Sequence, residues 1–190
     1  AGSGKTQLAL AAYTDALGAG RRPLYVCYNR PLADHFVRIA PAGGEIATFH
    51  QLCDRRLRDA GRKPAFGAPG AFRRMEADFA ALVASHTTTD WQFDELIIDE
   101  GQDFMEPWRD ALLALLKPGG RAWWLEDPLQ NLYDRPPVAL PGWVGLTADT
   151  NYRTPADVLA LLNACLPLPA PVHAGSPVTD SEPEILAWRD

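Results

Sequence analysis

The chain has 190 residues and a hydrophobic content of 47%, enough for one sizeable core or for one full domain and part of a second. No apolar run approaches the roughly 18 residues of a membrane-spanning helix, and no basic-then-apolar leader opens the sequence, so a soluble, cytoplasmic protein with no membrane partner is expected. The net charge of -6 argues against gripping nucleic acid by bulk electrostatics, though a local positive track would suffice for a motor that must release phosphates repeatedly.

Short apolar runs rich in β-formers alternate with helical patterns. In chain order the expected elements are helix Lys5–Leu17, strand Leu24–Tyr28, helix Leu32–Ile39, strand Ile46–Phe49, helix His50–Arg58 and helix Phe72–Ser85. Strand Glu95–Asp99, helix Trp108–Leu116, strand Ala122–Leu125, strand Val144–Thr147 and helix Pro155–Leu166 follow. Such alternation predicts an α/β fold with a mostly parallel sheet flanked by helices. Leu96-Ile97-Ile98 is apolar on both faces, as a covered central strand should be. Gly18 and Gly20, the stretch from Pro41 to Gly44, and Pro118-Gly119-Gly120 supply turns, and residues 61–70 read as a loop. The Pro-rich segment 134–143 marks the exit from a first domain, 1–142, with 143–190 beginning a second. Cys27, Cys53 and Cys165 are isolated, which fits free thiols rather than a disulfide framework or a zinc site.

Two segments carry chemistry. The first is Ala1-Gly2-Ser3-Gly4-Lys5-Thr6, followed at once by a helix. In a phosphate-binding loop, G-x-x-x-x-G-K-[ST], glycines let backbone N–H groups point at phosphate oxygens, and the helix presents its positive end to them. Lys5 would reach the β and γ phosphates of ATP, and the Thr6 hydroxyl would ligate Mg2+. The motif's first glycine would fall two positions before Ala1. The second segment is Glu95-Leu96-Ile97-Ile98-Asp99-Glu100-Gly101-Gln102-Asp103, an apolar strand that ends in carboxylates. Hydrolysis of ATP needs an acid near Mg2+ and a group that orients and deprotonates water. Asp99 suits the metal and Glu100 the base, at the strand end where open α/β sheets bind ligands.

With both segments in view, the chain resembles superfamily 1 DNA helicases of the UvrD/Rep type. Asp99-Glu100-Gly101-Gln102-Asp103 is similar to that family's D-E-x-Q-D motif, and further matches follow in the family's order as far as about Leu162. Tyr28-Asn29-Arg30-Pro31-Leu32-Ala33 resembles motif Ia, which implies single-stranded DNA contacts at Asn29 and Arg30; an ordinary strand-to-helix turn would use the same residues. Thr48-Phe49-His50 resembles the T-F-H motif on the DNA path, although Thr48 and Gln51 also read as a capping box and Phe49 as a packing residue. Glu126-Asp127-Pro128-Leu129-Gln130-Asn131-Leu132-Tyr133 resembles motif III, which implies that Gln130 senses the γ-phosphate and Tyr133 stacks on a base. Here Glu126 replaces the usual glycine, and Arg135 stands near the usual place of a stacking aromatic. Asn151-Tyr152-Arg153-Thr154-Pro155 resembles motif IV, which implies that Arg153 reaches the γ-phosphate from a second RecA-like domain. Thr154 as N-cap and Pro155 as first helical residue account for part of that segment structurally.

The resemblance implies a RecA-like P-loop NTPase domain that binds Mg-ATP and single-stranded DNA and couples hydrolysis to strand movement. Protein partners in DNA repair or recombination are implied too. It further implies family motifs outside these 190 residues, and a first-domain insertion reduced to residues 54–94. The alternatives are a helicase-like nucleotide-binding module without unwinding activity, and a nucleotide kinase or GTPase. The last two fit less well, because no guanine-reading N-K-x-D occurs and no lid arginines or acceptor site can be identified.

Overall fold

The structure is a computed structural model that describes residues 2–85, 89–166, 168 and 170–179. Ala1 of the glycine-rich opening and residues 180–190 of the expected second segment lie outside the described residues. The chain divides into two compact units, one spanning Thr6–Leu140 and the other formed by the first five residues with the chain from Pro141 onward.

The larger unit is a small α/β domain. Strands β1 (Pro23–Cys27), β2 (Glu45–Thr48), β3 (Phe93–Asp99) and β4 (Leu116–Leu125) form a four-stranded sheet in the order β2-β1-β3-β4, and every pairing is parallel. Helices α1 (Lys5–Gly18), α2 (Arg30–Ile39), α3 (Phe49–Asp59), α4 (Ala71–Ser85) and α5 (Glu106–Leu113) flank it. Successive side chains of a strand point to opposite faces, and the two cores follow that alternation. Tyr25 and Cys27 of β1 and Ile97 of β3 pack with Ala9, Tyr13, Ala33 and Phe36 of α1 and α2. Leu24, Val26, Leu96 and Ile98 pack on the other face with Phe49, Leu52, Met75, Phe79 and Trp108 of α3, α4 and α5. β1 and β3 are therefore central strands covered on both sides, as their unbroken apolar runs require.

Three local expectations are corrected. The helix expected over Trp108–Leu116 starts earlier, at Glu106, and stops at Leu113. Leu116 instead pairs with Phe93 in the sheet. β4 then takes in Pro118-Gly119-Gly120, expected as a simple turn before a strand from Ala122. The turn survives as an irregularity inside the strand: the register steps from Phe93↔Leu116 to Glu95↔Arg121, and Gly119 adopts φ +77°. Val144–Thr147, expected as a strand, has no ladder; Val144 and Leu146 are 89% and 91% exposed. A short β-rich run with neither pairing partner nor buried face gains nothing from extension.

The smaller unit contains β5 (Thr150–Asn151) and β6 (His173–Ala174), paired in parallel, with α6 (Ala156–Cys165) between them in sequence. Pro155 occupies the cap position of α6 and Thr154 makes no capping bond, so the expected Thr154 cap is corrected. The Thr154 hydroxyl instead accepts from Asn151 Nδ2 at 3.0 Å.

In the larger unit, Glu95 is 1% exposed within β3. Arg21 Nη2 approaches one of its oxygens at 3.0 Å, and the Trp123 indole N–H donates to the other at 2.7 Å. A buried carboxylate deprived of its counter-charge is strongly destabilising. Arg21→Ala is expected to lower the unfolding free energy by roughly 3 kcal/mol, with Glu95→Gln in the same chain recovering part of the loss. Urea unfolding of the three proteins checks this; equal stability of the wild type and Arg21→Ala would contradict it.

Candidate functional site

The start of α1 and the end of β3 share one edge of the larger unit. The turn from Gly18 to Arg22 reverses the chain between α1 and β1, while Ala9 and Tyr13 pack on Tyr25 and Ile97. The helix therefore runs against the strands and begins, at Thr6, on the side where β1 and β3 end. Asp99 ends β3 and is fully buried. The Tyr25 hydroxyl donates to Asp99 Oδ2 at 2.8 Å, and the Glu100 backbone N–H donates to Oδ1 at 3.0 Å. Tyr25 is held by stacking on Phe36, with centroids 3.6 Å apart and planes 8° from parallel. Burial, and then the charge of Asp99, pushes the Tyr25 hydroxyl well above its ordinary range, so it remains a donor. The same two causes push the Cys27 thiol up to about 12 and keep it protonated.

Beyond Asp99, each residue of the acidic segment has a distinct setting. Glu100 sits in the left-handed region, φ 54° and ψ 51°. A side chain there is uncommon and carries strain, which points its carboxylate differently from a normal strand continuation. Gly101 lies against Trp124: a Cβ at this position would meet the indole Nε1 at 2.3 Å. Gln102 donates to Glu100 Oε2 at 2.7 Å and accepts the Asp127 backbone N–H at 2.9 Å, tying the acidic turn to the chain after β4. Gln130 follows in the same turn, its backbone N–H bonded to Asp127 O at 2.9 Å; its side chain is exposed. Asp103 is buried, with Oδ1 lacking a hydrogen-bond partner. Desolvation and then Glu100 raise its carboxyl above the ordinary range, with Arg135 opposing. Glu126 accepts the Trp124 indole N–H at 2.8 Å.

Of the residues expected on a DNA path, Phe49, His50 and Tyr133 meet in one aromatic cluster with Tyr28 and Trp108. Asn29 caps α2 through Leu32 N at 3.3 Å, and Arg30 pairs with Asp34 at 2.8 Å; both are exposed. Thr48 and Gln51 form the reciprocal capping box of α3. Phe49 is 1% exposed and stacks on Trp108 at 4.5 Å, so its ring belongs to the core. His50 Nε2 lies 2.9 Å from Glu76 Oε1. Tyr133 is 47% exposed and meets Tyr28 at 5.1 Å.

Arg135, Tyr28 and Trp108 complete this cluster and were missed as site residues in the sequence. The Arg135 guanidinium lies 4.6 Å from the Tyr28 ring, 4.8 Å from Trp108 and 5.0 Å from Tyr133. Asn131 holds its backbone, donating to Arg135 O at 2.6 Å and accepting Arg135 N–H at 3.0 Å. A cation placed against several ring faces is attracted by their quadrupoles. The three rings come from β1's exit, α5 and the loop after β4, so only folding reveals that they surround one arginine.

In the smaller unit, Gly2 and Gly4 adopt φ +80° and +86°, conformations open to glycine but strained for other residues. The Tyr152 N–H donates to Gly2 O at 2.9 Å, and a Cβ on Gly2 would meet Asn151 Oδ1 at 2.6 Å and Arg153 Cβ at 2.9 Å. Asn151 Oδ1 accepts the N–H groups of Arg153 and Thr154, each at 2.9 Å. The glycine-rich opening, Gly2-Ser3-Gly4-Lys5, and the Asn151–Thr154 turn thus belong to one unit, with the Arg153 side chain exposed.

No protein-family model matches this sequence, and no curated protein matches it. Among the described residues no helix is long and apolar enough to cross a membrane, and no three His, Cys, Asp or Glu side chains converge as a metal cluster. Thr6 and Asp99, a hydroxyl and a single carboxylate, would not make such a cluster.

Two outcomes test this geometry. Gly101→Ala is expected to lose about 1–3 kcal/mol of stability by overpacking against Trp124; an unchanged melting temperature would contradict the close approach. Asp103→Asn is expected to stabilise at neutral pH. A carboxyl whose folded pKa is raised binds its proton more tightly in the folded state, so stability falls as pH rises from the unfolded pKa through the raised one. The advantage of Asp103→Asn should therefore shrink in mild acid, and thermal unfolding across pH checks this.

Proposed function

We propose that this chain is the ATP-binding portion of a superfamily 1 DNA helicase or translocase of the UvrD/Rep type, with a RecA-like P-loop domain and the start of a second RecA-like domain from about residue 143. The observation that carries the reading is the Asp99–Asp103 segment at the C-terminal end of a central parallel strand. It follows in chain order a glycine-rich opening with two left-handed glycines and a helix starting at Lys5-Thr6.

Mg-ATP fits the donors present. Thr6 and Asp99 would offer hard oxygen ligands of the kind Mg2+ takes, and Gly4, where a Cβ would meet nothing within 4 Å, leaves backbone open to phosphate, whereas the space beside Gly2 is filled by Asn151 and Arg153. When bound, Mg2+ would neutralise and orient the phosphate oxygens. Lys5 adds positive charge at the β and γ phosphates. Asp99, fixed by Tyr25, would be the carboxylate that holds the metal. Glu100, held by Gln102, orients and deprotonates water. Gln130, tethered beside that bridge through Asp127, would sense the γ-phosphate, and the resemblance gives Arg153 the role of stabilising charge that develops on it. Single-stranded DNA would contact Asn29, Arg30 and the Thr48-Phe49-His50 helix start, with Tyr133 stacking on a base and Phe49 acting from the core to position its neighbours.

A second reading, a helicase-like nucleotide-binding module without unwinding, is favoured by one observation. Arg135 already lies against the rings of Tyr28, Trp108 and Tyr133, so the one exposed ring of the three, Tyr133, is engaged by a cation where a base would stack.

ATP hydrolysis by the longest natural form of the protein, with and without single-stranded DNA, separates the two. The helicase reading expects strong stimulation by DNA and a loss of roughly 100-fold or more in Lys5→Ala. Turnover indifferent to DNA, or ATP binding without turnover, sinks the motor and leaves the module.

A further inference from the structure

The exposed aromatic side chains of the Thr6–Leu140 unit are contiguous. Phe66 and Phe72 are 47% and 53% exposed, and their centroids lie 5.9 Å apart. Phe72 stands 5.1 Å from His50, His50 5.7 Å from Tyr28, and Tyr28 5.1 Å from Tyr133. A line of neighbouring rings therefore runs from the 61–70 loop, across the start of α3, to the loop after β4. Its far end coincides with the proposed DNA contacts. Phe66 and Phe72 have no place in that reading.

Core packing does not explain them. α4 buries Ala71, Met75, Phe79, Leu82 and Val83, whereas Phe72 lies on the neighbouring stripe with Glu76, one turn on, whose carboxylate meets His50. In the same 62–74 segment, Arg62, Lys63, Arg73 and Arg74 are exposed, and none has an ion pair among the described residues. Arg62, Lys63 and Arg74 border an open cavity of about 160 Å³ in which Asp78 is the acidic side chain. In a chain of net charge -6, the 62–74 segment carries these cations, no acidic residue and two exposed rings, which makes it locally positive and stackable. Single strands use that combination: rings take base faces, and cations take phosphates.

We infer that Phe66 and Phe72, with Arg62, Lys63, Arg73 and Arg74, extend the single-stranded DNA site beyond Tyr28, His50 and Tyr133. The inference rests on the DNA-binding reading above and adds an outer stretch of path built from the 61–74 segment. A longer strand engages both stretches, and a short one engages only the inner stretch.

The test is fluorescence anisotropy of labelled oligodeoxythymidylates of increasing length, titrated with wild type, a Phe66→Ala/Phe72→Ala variant and an Arg73→Ala/Arg74→Ala variant. All four side chains are exposed, so both variants should fold, and circular dichroism checks it. The Phe variant should bind long oligonucleotides about tenfold more weakly than wild type and short ones equally well. The Arg variant should flatten the dependence of log K on log salt by roughly 0.7 for each phosphate it no longer neutralises. Wild-type binding with both variants unchanged overturns the inference and leaves the DNA-binding reading standing. A wild type that binds no oligonucleotide of any length overturns the reading itself, and the inference with it.

Discussion

A carboxylate buried without partners is among the most expensive features a core can contain, and Asp99 is fully buried at the end of β3. Its partners include the Tyr25 hydroxyl from the neighbouring strand and the backbone N–H of Glu100. The Tyr25 hydroxyl is placed because its ring is sandwiched in the layer formed by α1 and α2, flat against Phe36. Full burial of a ring such as Phe36 is worth about 2–3 kcal/mol. The packing of one helical layer is thus coupled directly to the orientation of the acid.

The turn that follows inherits this constraint. With Asp99 anchored, the chain leaves the sheet through Glu100 in a left-handed conformation, and Gly101 admits the Trp124 indole where any side chain would collide. Trp124 is in turn held by Glu126, and Gln102 bridges Glu100 to Asp127. The ends of β3 and β4 consequently form one hydrogen-bonded assembly. A displacement of the chain at Asp127 would be felt at Glu100 through two hydrogen bonds.

The aromatic cluster on the other side of that edge obeys a different logic. Tyr28, Trp108 and Tyr133 come from distant parts of the chain, and Arg135 joins them through cation–π attraction rather than an ion pair. Asp103 feels both the buried setting and Arg135, which ties the acidic turn electrostatically to the ring cluster. Acid, turn and aromatic surface are therefore neighbours in one network, although Tyr28 and Arg135 lie far apart along the chain.

The parallel α/β layering was already legible in the residue pattern, because alternating helical and doubly apolar strand periods leave few other ways to bury both faces of β1 and β3. So was the Thr48–Gln51 cap, whose hydrogen bonds are local and reach only three residues. What depended on distant partners became visible only on folding. Leu116 joined the sheet because Phe93 was there to pair with it, and Val144–Thr147 formed no strand because nothing was. The Tyr25–Asp99 bond, the fit of Gly101 to Trp124 and the three rings around Arg135 carry no signature in spacing or composition. They arise where side chains from separate strands and loops meet, and a one-dimensional pattern records periodicity along the chain rather than proximity across it.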